Sequence, residues 1–249
     1  MKITIIRHAE PDYKNNTLTE KGFYEAELLG KYLKDEKISA IYSSPLPRAK
    51  FTADAILKHN KSVKDYEIFD FLREFNTRVD ISYAKNHIAW DLRPKYLDEN
   101  LDLYDNDKWL QVSGFDTDAL KEHYLSIKNG LNKILEKHGY KKRGVYYEAI
   151  NPNHDNIVFT CHFGLGCFLL AELFNISPIA LLNHTCAQAS SVTTVVTEER
   201  IKGQAIFRML TFGGIEHLAL NNEKPSFMAR FDEVFGDGNG KFDEEDKVE

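Results

Sequence analysis

Cysteine is scarce in this chain: 3 residues in 249, with no CxxC spacing. An odd, scattered set excludes a disulfide-stapled scaffold and a zinc ribbon. Cys161, Cys167 and Cys186 are therefore expected to be reduced packing residues in a cytoplasmic protein. Basic charge is not in surplus either, since 32 Lys and Arg face 38 Asp and Glu. The acidic excess lies in residues 232–249, where eight carboxylates face Lys241 and Lys247, leaving 30 acidic and 30 basic residues elsewhere. A chain without a basic field is poorly suited to nucleic acid, and any anion site must be local. Long apolar runs are missing too. The stretch FGLGCFLLAELF at 163–174 has twelve residues and contains Glu172, too short to cross a bilayer. MKITIIRHAEP reaches charge too early for a secretory signal, so no membrane partner is expected. Seven prolines and 14 glycines, with no internal repeat, exclude collagenous and low-complexity classes, and 43% hydrophobic residues suffice for a sizeable core.

What is present is an alternation of strand and helix signals. KITIIRH reads as a short buried strand that ends in polar residues. Thr19 is placed to cap a helix carrying Leu18, Gly22, Leu29 and Leu33 near helical spacing. AIYSS reads as a second strand, and LPRAKFTADAILKH as the helix after it, giving two successive strand-to-helix units. VKDYEIF at 63–69 reads as a further strand. Residues of about 80–118 are rich in Asp, Asn, Tyr and Trp with weak periodicity, and read as an insertion or lid. Regularity returns with Leu120, Tyr124, Ile127, Leu131, Ile134 and Leu135, the stripe of an amphipathic helix. KHGYKKRGVYYEAINPNHDN reads as loop with a short surface strand at VYY. NIVFTCH is another buried strand ending in histidine, GLGCFLLAELF its helix, and SSVTTVV and AIFRML the last strands. The pattern predicts one α/β unit over residues 1–231 and a mobile acidic tail over 232–249. The tail's DGNGKFD is not a calcium loop, because Lys241 and Phe242 fall where an oxygen ligand and glycine are required.

Two strands ending in His8 and His162 are expected to present both imidazoles at one rim of a mostly parallel sheet, where ligand sites of open α/β folds form. Arg7 and Arg48 would join them. Guanidinium groups are rigid, permanently charged donors, and histidine serves as nucleophile or donor, so the set suits a phosphoryl group. The GLG at 164–166 matches neither a Rossmann nor a P-loop pattern. No HExxH segment or carboxylate cluster suggests a metal, and no cofactor is implied.

Arg7, His8 and Ala9 resemble the RHG or RHA opening of the histidine phosphatase superfamily, which includes the cofactor-dependent phosphoglycerate mutases. Ser43, Ser44, Pro45, Leu46, Arg48 and Ala49 resemble its SSPLxRA signature, Glu74 in LREF occupies the kind of position of its proton donor, and His162 with Gly164 resembles its later histidine-glycine signature. The resemblance covers approximately residues 1–212. It implies a three-layer α/β/α sandwich with a mostly parallel, doubly wound sheet and a partly helical insertion. His8 would become phosphohistidine, Arg7, Arg48 and His162 would hold the phosphoryl oxygens, and Glu74 would protonate the leaving alcohol. By position alone, Glu10, Glu67 and Glu99 compete with Glu74 for that role.

The opening RHAEPDY lacks the ESxWN continuation of the mutases, which favours a phosphatase. Phe163 stands between His162 and Gly164 where many relatives have glycine, altering the backbone approach to phosphate. The expected function is metal-independent hydrolysis of a small phosphomonoester, with phosphate or sulfate fitting the pocket. A mutase, a phosphohistidine-protein phosphatase and an inactive phosphate-sensing module are the alternatives. Ser44 is read as a turn residue or phosphate donor, and Asn15 and Thr17 as residues of the mouth. Arg73, Arg78, His87, Arg93 and Lys95 make the insertion region basic, and Tyr83, Trp90, Tyr96 and Trp109 offer an aromatic wall or packing against the main domain. A homodimer is compatible with this reading, although no heptad designates an interface.

Overall fold

The runs KITIIR and NIVFTC are apolar almost throughout, the pattern of strands covered on both faces, and they lie side by side in the middle of the sheet. The structure is a computed structural model that describes residues 1–226; the acidic stretch 232–249 and its rejected calcium loop lie outside the described residues. In chain order the strands are β1 (Lys2–Arg7), β2 (Pro11–Asp12), β3 (Thr17–Leu18), β4 (Ala40–Ser43), β5 (Glu67–Ile68), β6 (Arg78–Ile81), β7 (Ala84–Ile88), β8 (Tyr140–Arg143), β9 (Tyr146–Ala149), β10 (Asn156–Cys161), β11 (Val192–Ile201) and β12 (Gln204–Gly214). The helices are α1 (Glu20–Tyr32), α2 (Pro47–His59), α3 (Pro94–Glu99), α4 (Asp118–Lys137), α5 (Phe163–Phe174), α6 (Pro178–His184) and α7 (Glu216–Ala219).

The main sheet has the order β5-β4-β10-β1-β11-β12-β9-β8. The first four strands are mutually parallel, and β11 and β9 alone run against the rest. Side chains alternate between faces along each strand. Ile6, Ile41 and Val158 thus meet Leu29, Ala53 and Ile56 of α1 and α2, whereas Ile3, Ile5, Tyr42, Ile157 and Phe159 meet the stripes of α4 and α5. The six residues expected from spacing to face inward on α4 are the ones buried there. Among the described residues no helix is long and apolar enough to cross a membrane.

Three local expectations need correction. The strand expected over 63–69 is reduced to Glu67–Ile68, both exposed at the sheet edge. KKRGVYY is a hairpin, β8–β9, turning at Gly144 with φ of 60°. Its polar residues read as loop because they face out, while Tyr140 and Tyr147 are buried against Phe207. Residues 78–88 form a second hairpin, and α6 was not anticipated, although Ser177 capping Ile179 N with Pro178 at the first helical position is a sequence-level start signal.

The 80–118 segment is bound into the main core. Trp109 is fully buried, with ring centroids 5.2 Å from Tyr124 and 6.1 Å from Phe168. Tyr83 and Tyr96 pack on each other at 5.5 Å. Of the four aromatics considered for a wall, only Trp90 lines the cleft described below.

The loop after His8 is held by α1. Glu10 N donates to the buried Glu25 at 3.0 Å, and Thr19 Oγ1 donates to Glu10 Oε2 at 2.6 Å. Gly22 lies so close to the Glu10 carbonyl that a Cβ would collide with it. Burial pushes the Glu25 carboxyl up to about 7, with the nearby Glu10 carboxylate adding to the effect. The folded state therefore binds more protons than the unfolded chain between the usual carboxyl range and pH 7, so stability falls as pH rises through that window. Glu25→Gln is expected to remove a penalty of roughly 2–3 kcal/mol at pH 8 while leaving stability at pH 4 little changed. Urea unfolding at both pH values checks this, and an unaltered pH dependence would count against it.

Candidate active site

Strand register brings the site together. Arg7 pairs with Cys161 across β1 and β10, so the next residues, His8 and His162, emerge side by side. Ser43 pairs with Thr160, which puts Ser44 at the same rim, and Arg48 follows in the first turn of α2. The imidazoles of His8 and His162 lie edge to face with centroids 5.0 Å apart, both nearly inaccessible to solvent.

Hydrogen bonds distinguish the two rings. His8 Nδ1 lies 2.7 Å from Ala9 O, an acceptor only, so the ring proton sits on Nδ1 and Nε2 carries the lone pair. Arg48 Nε donates to that lone pair at 3.1 Å. His162 Nε2 lies 2.8 Å from Ser44 Oγ, which already accepts from Leu46 N at 3.3 Å. Either atom of that pair can be the donor, and His162 Nδ1 is a buried atom with no protein partner. Ser44 is thus the expected turn residue and also fixes the second imidazole. Burial, together with the cationic Arg7 and Arg48, pushes His8 well below the usual histidine range, and burial beside His8 and the same arginines does so for His162.

Arg7 is anchored by Nη1 to Ala187 O at 2.6 Å and lies 6.0 Å from the Phe163 ring centroid. Glu74 Oε1 accepts from Phe75 N at 2.9 Å and from Leu165 N of α5 at 3.0 Å. Its carboxyl is raised above the ordinary value because burial outweighs those N–H donors and the attraction of Arg7 and Arg48. A Cβ at position 164 would come within 2.8 Å of Glu74 Oε1 and 2.9 Å of Trp90, so glycine permits both to crowd the helix start.

The other carboxylates are elsewhere. Glu10 is tied to Thr19, Glu67 pairs with Lys137 at 2.6 Å on the surface, and Glu99 is exposed on α3. The structure sets Arg48 and His162 against His8, while Arg7 and Glu74 line one cleft. Asn15 instead holds Asp12, and neither it nor Thr17 lines the cleft. Sequence reasoning missed Tyr13, whose ring lies 5.4 Å from the Arg48 guanidinium, and the 183–187 segment, which lines one wall and supplies the carbonyl that holds Arg7. The capping signal of α6 was the one available pointer to that wall. Among the described residues no group of three His, Cys, Asp or Glu side chains is placed to hold a metal ion.

Residues 3–113 match the model of the histidine phosphatase superfamily, branch 1. A fructose-2,6-bisphosphatase TIGAR of Xenopus tropicalis is 36% identical over 76 residues, which cover 26% of this chain and 28% of that protein. The similarity thus spans little more than a quarter of that relative's length. Among solved structures, phosphoserine phosphatase of Entamoeba histolytica superposes with a TM-score of 0.55 at 18% identity, covering 87% of this chain and 98% of that one. Phosphoglycerate mutase of Bacillus anthracis does so with a TM-score of 0.54 at 20% identity, covering 89% and 96%. These two share the three-layer arrangement of a mixed sheet, parallel at its core, with helices on both faces. Residues 3–113 are thus similar in sequence to the histidine phosphatase superfamily, and the chain shares the fold of these two structures.

Proposed function

We propose that this protein hydrolyses small phosphate monoesters without a metal, through a phosphohistidine on His8. The observation that carries the reading is the pairing of two buried imidazoles, with His8 Nε2 accepting from Arg48 and His162 Nδ1 left without a protein partner. The His8 lone pair attacks phosphorus as Arg48 shifts from Nε2 to a phosphoryl oxygen. Arg7 and His162 Nδ1 donate to the remaining oxygens and stabilise the charge they gain in the transition state. The ester P–O bond breaks, and the proton of the buried Glu74 carboxyl passes to the departing oxygen. Water then attacks the phosphohistidine, giving its proton to the Glu74 carboxylate. The P–N bond breaks, and the electron pair returns to His8 Nε2.

The charge that a divalent ion would supply is provided by two guanidinium groups and the positive end of α5, whose first turn faces Glu74. The names of the curated relative and of the Entamoeba structural neighbour, a bisphosphatase and a phosphoserine phosphatase, support the hydrolase class. The absence of the mutase-type ESxWN continuation after His8 supports hydrolysis over transfer to a second hydroxyl. Buried, unpaired Cys161 and Cys167 suit the reducing cytoplasm. The test is phosphate release from a panel of phosphorylated metabolites by the purified full chain in excess chelator. Sustained release is expected. Loss of turnover on chelation, restored by one divalent ion, would overturn the metal-independent mechanism.

A further inference from the structure

Arg7 and Phe163 line the cleft on one side, and with His162 they border a second, much smaller pocket between β1, β11, β12 and α5. Its volume of about 20 Å³ is room for one water molecule. Ile5, Leu170 and Phe212 give it apolar walls, and a pocket lined by such groups alone stays dry. Polar atoms on its other sides reverse that expectation. Arg7 Nε and Ser191 Oγ belong to lining residues, are closed to solvent and have no partner in the protein. The Thr193 hydroxyl, which accepts from Gly213 N at 3.0 Å, lines the same space. His162 Nδ1 is the remaining unpartnered atom of the lining residues, and the mechanism above directs it to a phosphoryl oxygen.

Burying an unpaired N–H of a guanidinium beside an unpaired hydroxyl is costly, the charged group more so. The Arg7 side chain has one hydrogen-bonded anchor in the protein, from Nη1 to Ala187 O at 2.6 Å, and Arg7 N donates to Ser191 O at 3.1 Å. A single contact at a terminal nitrogen leaves the guanidinium plane able to rotate about the end of the side chain. A second contact at Nε fixes that plane and leaves Nη2 to face a ligand.

We propose that this pocket binds one structural water, which accepts from Arg7 Nε and bonds Ser191 Oγ, and that this water orients the Arg7 guanidinium toward the phosphoryl group. The orienting role rests on the reading of Arg7 as a phosphoryl ligand. Gly166 makes the site testable. It lies on α5 and lines the pocket, and the nearest atom a Cβ there would meet is Ile5 Cγ2 at 3.6 Å, on another lining residue. Gly166→Ala therefore sets a methyl group in the pocket without a clash, and it keeps the N–H that donates to His162 O at 2.9 Å. In a dry pocket that methyl fills empty space and alanine is the better helix former, so melting temperature rises by about 2–4 °C.

The experiment is high-resolution diffraction from crystals of the full chain and of its Gly166→Ala variant, with thermal unfolding and binding of inorganic phosphate measured on both. In the wild-type protein a water is expected within about 3.2 Å of both Arg7 Nε and Ser191 Oγ, and in the variant none. Its loss strands two buried polar atoms, so the variant's melting temperature falls by about 2–4 °C or more in place of the rise. Phosphate binds the variant about tenfold more weakly, an effect that a purely structural water would not have. In a Ser191→Ala background, where one of the two polar atoms is gone, Gly166→Ala lowers the melting temperature less. A wild-type pocket without water, or a variant that melts higher and binds phosphate as the wild type does, would overturn the site. Loss of the water with phosphate affinity unchanged would overturn its orienting role. A wild-type protein that binds no inorganic phosphate would overturn the phosphoryl reading of the seat, and diffraction and melting would still decide the water.

Discussion

Replacing His8 with alanine is expected to lower phosphate release by about ten-thousand-fold or more, because it removes the atom to which phosphorus becomes bonded. Arg7, Arg48 and His162 would remain to bind a phosphoryl group, so the variant should still take up inorganic phosphate or substrate at a measurable affinity. That separation of binding from turnover distinguishes a nucleophile from a residue that merely shapes the pocket. Rapid quenching of the wild-type protein in alkali after exposure to labelled substrate should trap label on the chain in an acid-labile bond, and the His8→Ala protein should trap none. Turnover within tenfold of wild type in the variant would remove His8 from the mechanism. The pH profile carries a second signature. Burial and two neighbouring guanidinium groups disfavour the imidazolium, so His8 stays neutral to a pH well below the ordinary histidine value. The acid limb of kcat/KM should accordingly lie below the pH at which an exposed histidine would lose its nucleophilicity.

Glu74→Gln is expected to reduce kcat about a hundred- to a thousandfold for esters of ordinary alcohols, which must be protonated as they leave. For p-nitrophenyl phosphate, whose leaving group departs readily as the anion, the first step should suffer much less. The remaining deficit should then sit in the second step, where the carboxylate accepts the proton of water. Because burial raises the Glu74 carboxyl, its protonated form persists to higher pH than in an exposed glutamate, and activity should fall as pH rises through that raised value. The glutamine variant should lose this alkaline limb while retaining the acid one. An equal loss of rate for both ester types, with the alkaline limb preserved, would move the proton donor elsewhere.

The two experiments probe chemistry more than architecture, since each variant alters few contacts with the scaffold. Glu74 accepts two backbone N–H groups, and glutamine keeps an acceptor for them. His8 contacts the scaffold through the Ala9 carbonyl and the Arg48 guanidinium. By contrast Glu25 and Gly22 bear on the site only through the loop after His8, and their replacement should alter stability before it alters the chemical step.

The sequence by itself determined the central strands and the helices packed on them, because continuous β-branched runs and the 3.6-residue stripe of Leu120 to Leu135 are local patterns with local causes. It also placed His8, Arg7, Arg48 and His162 at strand ends and a helix start, where the parallel register of β1, β10 and β4 later brought them into contact. Its place in LREF favoured Glu74 over Glu10, Glu67 and Glu99 as the proton donor, and only the fold shows its surroundings, with Glu74 on the amides of Phe75 and Leu165, Glu10 tied to Thr19 and Glu67 to Lys137. The 80–118 segment was unreadable for a related reason. Its aromatics have no period to reveal their direction, and whether Trp109 enters the core or Trp90 lines the cleft depends on α4 and α5, far along the chain. The same holds for the basic residues around it: Arg73 pairs with Asp70 and the Arg93 guanidinium lies over the Tyr83 ring, contacts that residue type alone does not reveal. Residue type and spacing carry local propensity and the order of motifs, whereas the burial of a carboxyl and the contacts of an imidazole are set by partners that only packing brings within a few ångströms.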